Sequence, residues 1–70
     1  MNITQKALHD LCVSQAEGTN NPIQKAINYE AAALLSQDSA EWDLAASYFW
    51  QAGKSEKAVY CEKQANRGKQ

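Results

Sequence analysis

Proline occurs once in these 70 residues and glycine three times. A chain so poor in both is not a disordered or linker sequence, and its 44% apolar and aromatic content suits one small globular domain, residues 1–70. No run approaches the roughly eighteen consecutive apolar residues that a membrane-spanning helix requires. The opening Met1-Asn2-Ile3-Thr4-Gln5-Lys6 also lacks the charged-then-apolar layout of a secretory signal, so a cytoplasmic protein is expected. Cysteine is scarce as well. Cys12 and Cys61 form no Cys-x-x-Cys pair and have no second ligand pair nearby, which predicts reduced, unligated core residues and neither metal nor cofactor. There is no glycine-rich phosphate loop. His9 is the only histidine, and although Asp10 follows it, successive helical residues point about 100° apart and no nucleophile is spaced to use such a base. His9 therefore reads as a solvated helix residue, and nothing indicates an enzyme.

What is present is helical periodicity, with no strand-like alternation of useful length. The three glycines, Gly18, Gly53 and Gly68, stand where helices should stop and are expected to form left-handed caps. Asn2 with Gln5 reads as a capping box, followed by Ala7, Leu8, Leu11, Cys12 and Ala16 at three-and-four spacing. Asn21 before Pro22 is a second start, and Ile23, Ala26, Ile27, Ala31 and Leu34 follow on one side. Asp38 with Glu41 reads as a further capping box, and Ser55 as the cap of a last helix. These signals predict an all-α fold, a small bundle of about four helices over 3–17, 22–36, 39–52 and 55–66. The expected core is Leu8, Leu11, Ile27, Ala31, Leu34, Trp42, Ala45, Phe49, Ala52 and Val59.

Helices two and three carry the most specific pattern. Tyr29, Ala33, Trp42, Ala45, Phe49 and Ala52 follow the spacing of a tetratricopeptide unit, which predicts a TPR-like antiparallel helical hairpin whose alanines let the backbones approach closely. One hairpin is too little for a peptide-binding solenoid, so the pattern is read as packing geometry. A chain this short buries only about 60% of its unfolded surface. A partner protein, or a second copy in a homodimer, is the expected supplement.

Charge is divided unevenly. Residues 1–53 carry a net of −4, whereas residues 54–70 carry Lys54, Lys57, Lys63, Arg67 and Lys69 against two acids, a net of +3. These five are the candidate nucleic-acid contacts, but no helix-turn-helix pattern or stacking platform accompanies them, and direct DNA binding is the lesser expectation. The run Tyr48-Phe49-Trp50 is too wide for one core-facing stripe. Tyr48 and Trp50, with Trp42 and Tyr60, are the candidate partner-binding residues, since surplus aromatics mark interfaces.

With the helices placed, Tyr29-Glu30-Ala31-Ala32, Trp42-Asp43-Leu44-Ala45-Ala46, Phe49-Trp50-Gln51-Ala52 and Tyr60-Cys61 together resemble the ANR family, small bacterial and phage regulators that act negatively on AraC-type activators of virulence genes, and more loosely the PerC-like regulators. The resemblance covers about half of the chain. It implies transcription regulation through protein contact, with an AraC-type transcription factor as the partner and no DNA reading by the chain itself.

Overall fold

The computed structural model describes residues 1–68 and contains four helices: α1 (Ile3–Glu17), α2 (Pro22–Ser36), α3 (Ser39–Gln51) and α4 (Ser55–Gly68). The described residues hold no strand, so the protein is a small all-α bundle. The helix starts follow the capping chemistry. Asn2 Oδ1 accepts from the Gln5 N–H at 2.8 Å, and Gln5 Oε1 accepts from the Asn2 N–H at 3.1 Å. Asn21 Oδ1 accepts from the Ile23 N–H at 3.0 Å, and Asp38 Oδ1 from the Ala40 N–H at 2.9 Å. Glu41 does not complete a box with Asp38; its carboxylate is engaged by Ser36 and His9 instead. Ser55 is the first helical residue rather than a cap, and the Ala58 N–H donates to the Lys54 carbonyl at 3.0 Å.

The helix ends differ from expectation in an instructive way. Gly53 adopts a left-handed φ of 75°, with the Lys54 N–H reaching back to the Phe49 carbonyl at 2.8 Å, and α3 accordingly stops at Gln51 rather than at residue 52. Gly18 remains right-handed at φ −85°, and Gly68 is helical, so α4 runs two residues past the predicted end. The second left-handed residue is Gln37, φ 58°, which closes α2 by donating its N–H to the Ala33 carbonyl at 2.7 Å. With only Gln37 and Asp38 between α2 and α3, this left-handed residue turns the chain sharply into the next helix.

Each helix packs on its sequence neighbours, and the molecule is a slab of 34 × 32 × 13 Å. Tyr29 stacks on Tyr48 at 5.8 Å while Ser36 meets Glu41, so α2 and α3 run antiparallel. The seams are built of alanine. Ala16, Ala26, Ala33, Ala45, Ala58 and Ala65 are fully buried, and around them sit Tyr29, Trp42, Phe49 and Cys61. Trp42, Ala45 and Phe49 thus occupy the core as expected. Leu8, Leu11, Ile27, Leu34 and Val59 do not; each stays substantially exposed, and Ala31 and Ala52 are only partly covered. The reason is geometric: alanine contacts bring the helices so near that the stripe about 100° away, where Ile27 follows Ala26 and Val59 follows Ala58, cannot reach the seam.

Replacing Ala45 by leucine should overpack the α2–α3 seam and cost about 1–3 kcal/mol, read as a lower melting temperature. Replacing Gln37 by glycine should raise stability by about 0.5–1 kcal/mol, since the left-handed backbone is then unstrained. A Gln37→Gly protein that melts lower would contradict this account of the turn.

Candidate functional site

The four aromatic residues singled out by the sequence do not form one surface. Trp42 is buried and presents nothing to a partner, which corrects its assignment to a binding surface; its indole packs edge-on against Tyr60 at 5.9 Å. Tyr48 is half-buried, stacked on Tyr29 with the Lys25 ammonium 5.5 Å above its ring. Trp50 is exposed on α3, and its indole N–H donates to Glu62 Oε2 on α4 at 3.0 Å. Tyr60 is exposed on α4, two residues before Glu62 and hence about 200° around the helix. Trp50 and Tyr60 therefore lie on opposite sides of α4, and no single flat partner covers both.

The exposed apolar face is centred on α2 instead. Ile27 and Leu34 are separated by two helical turns on one stripe, and Leu34 joins Tyr60, Glu30, Glu56 and Lys57 in lining a shallow groove between α2 and α4. On α1, Leu8 and Leu11 each precede a half-buried residue, His9 and Cys12, and themselves stay exposed. All four leucine and isoleucine side chains are 47–54% exposed. Apolar periodicity alone puts Ile27 and Leu34 in the core because it allows α2 one apolar side; the signal overlooked was a second stripe beside Ala26, Tyr29 and Ala33.

The groove is closed at its floor by charge. Lys57 Nζ lies 2.6 Å from Glu30 Oε2 and sits above the rings of Phe49 and Tyr60, 5.5 and 5.3 Å from their centroids. The Glu30 carboxylate holds the Lys57 ammonium above its ordinary pKa. Lys57 is thus committed within the molecule and is not a free contact for phosphate. Lys54, Lys63 and Arg67 are exposed, and Lys69 lies outside the described residues.

A second cluster links three helices. His9 Nε2 lies 2.6 Å from Glu41 Oε2 and His9 Nδ1 lies 3.1 Å from Asp10 Oδ1. Ser36 Oγ bonds the other oxygen of Glu41 and accepts the Asp38 N–H at 3.1 Å. His9 is therefore a half-buried tie between helices rather than a freely solvated residue, with its side chain 18% exposed. No sequence pattern shows this, because His9 and Glu41 are 32 positions apart. Hydrogen bonds that the ring donates to Asp10 and then Glu41 raise the His9 pKa, and His9, followed by Lys6, lowers that of Asp10. The serine bonds a carboxylate rather than the imidazole, so the arrangement provides no activated nucleophile.

Both cysteines are free thiols, Cys61 buried and Cys12 half-buried. Among the described residues no cluster of His, Cys, Asp and Glu is fit to hold a metal ion, and no helix is long and apolar enough to cross a membrane. No family model, no curated protein and no solved structure matches this chain.

Desolvation pushes the Cys61 thiol up to about 11. At neutral pH a thiol-alkylating reagent should modify Cys12 first, with Cys61 slower by about tenfold or more. Equal rates, followed by mass spectrometry, would show that α4 does not stay seated on α3.

Proposed function

We propose that this protein acts by contact with another protein, as a small transcriptional regulator, and that its partner is an AraC-type activator whose action it blocks. The partner and the sign of regulation come from the likeness to the ANR family. The observation that supports a contact function is the α2 face: Ile27 and Leu34 stand exposed two turns apart, and Leu34 shares a groove with Tyr60 of α4. An apolar groove open to solvent is a usual mark of a protein-contact surface. Leu34 and Tyr60 supply apolar bulk, while the Glu30–Lys57 pair at the groove floor favours a partner helix that brings apolar side chains and little charge.

This reading places the contact on the α2 face and leaves Trp50 outside it. The basic residues of α4 are a weaker basis for function, because Lys57 already has an internal partner. Retention on DNA should accordingly be slight at physiological ionic strength.

The test is repression of, and co-purification with, AraC-type activators in a reporter strain. Ile27→Glu and Leu34→Glu should each weaken partner binding by about tenfold or more, because each puts a charge into a desolvated contact. Trp50→Ala should change it by less than about threefold. Repression lost with Trp50→Ala but kept with Leu34→Glu would move the interface to the opposite side of α4. If wild-type protein affects no such activator, the regulatory reading fails.

A further inference from the structure

α1 is the least securely packed of the four helices. Only Ala16 is fully buried on it, whereas the other three each bury at least three residues. Gly18, Thr19, Asn20 and Asn21 separate it from α2. Two polar ties supplement this small apolar contact. Near the C-terminal end, Lys25 Nζ donates to the Ala16 carbonyl at 2.9 Å; in the middle, His9 reaches Glu41 on α3.

We propose that His9 is a proton-controlled clasp, docking α1 on the α2–α3 hairpin when the imidazole is charged and letting it loosen when the proton leaves. The chemistry follows from counting N–H groups. An imidazolium has two, and here each ring nitrogen faces a carboxylate oxygen, Asp10 Oδ1 on one side and Glu41 Oε2 on the other. A neutral imidazole has one, so whichever tautomer forms, one carboxylate meets a nitrogen lone pair. Glu41 cannot readily turn away, because Ser36 Oγ holds its other oxygen.

The groups around His9 come from every element packed on it. Asp10 and Lys6 lie on its own helix, with Lys6 Nζ 3.2 Å from Asp10 Oδ2; Glu41 comes from α3; Ser36 and Tyr29 come from α2, where the Tyr29 phenol feels the Glu41 charge. Both carboxylates favour the charged imidazole, and Lys6 is directed at Asp10 rather than at the ring. Since the folded-state pKa lies above the ordinary 6.5, the clasp contributes fully below that pH and fades as pH rises through the raised value.

Amide hydrogen exchange measured by NMR tests this, with α1 referenced to α4 in the same sample so that the intrinsic pH dependence of exchange cancels. The His9 ring proton shifts are followed in parallel. Between about pH 5 and about pH 8 the α1-to-α4 exchange ratio should rise by about threefold or more, with its midpoint at the His9 titration. In His9→Gln, which keeps one donor and one acceptor, the ratio should be high and flat, and in Glu41→Gln the His9 titration should move down. A wild-type ratio that stays constant while His9 titrates would overturn the proposal even if neither variant folds, as would a pH dependence that survives in His9→Gln.

Discussion

The rest of the structure depends on close approach of helix backbones across alanine. Ala16, Ala26, Ala33, Ala45, Ala58 and Ala65 leave no surface to solvent, and the helices meet where these residues lie. A seam lined by methyl groups excludes larger side chains on simple grounds of volume. Trp42 and Phe49 fit because they fill the space beside the contact, not within it. The bulkier aliphatic residues are left to the flanks, and the thin slab offers those flanks no third layer to bury them.

Two consequences share that origin. Ile27 and Leu34 become a surface, because α2 spends its seam on Ala26, Tyr29 and Ala33. α1, which brings one buried alanine and few large contacts, needs polar attachment and finds it in His9, Glu41 and Ser36. An exposed apolar side and a helix held by polar ties are thus two outcomes of one packing decision. Of the basic C-terminal segment, Lys57 is engaged internally by Glu30, while Lys54, Lys63 and Arg67 stay exposed.

The helical architecture was legible because capping chemistry is local. Asn2, Asn21 and Asp38 each announce a start through a hydrogen bond spanning two or three residues, and the alanine–aromatic spacing of α2 and α3 is a short-range pattern too. The glycine rule succeeded only at Gly53, where the chain must turn within a few residues; Gly18 precedes a longer connection and needs no left-handed backbone, whereas the tight link after α2 forces one on Gln37. The candidate site was read less well. Apolar periodicity cannot say which of two stripes on α2 faces inward, since that depends on how near the neighbouring helix comes. The bond between His9 and Glu41 depends on tertiary structure entirely.

A pair of thermal melts, followed by helical circular dichroism, tests the central claim most directly by reversing the usual expectation about cores. The double substitution Ile27→Gln/Leu34→Gln removes two large apolar side chains, while Ala33→Leu adds one apolar side chain to a fully buried position. The double variant should lose no more than about 1–2 kcal/mol, because its side chains are half in water already. Ala33→Leu should lose more, through overpacking of the α2–α3 seam. The opposite order, with the double variant unfolded and Ala33→Leu unharmed, would contradict the account.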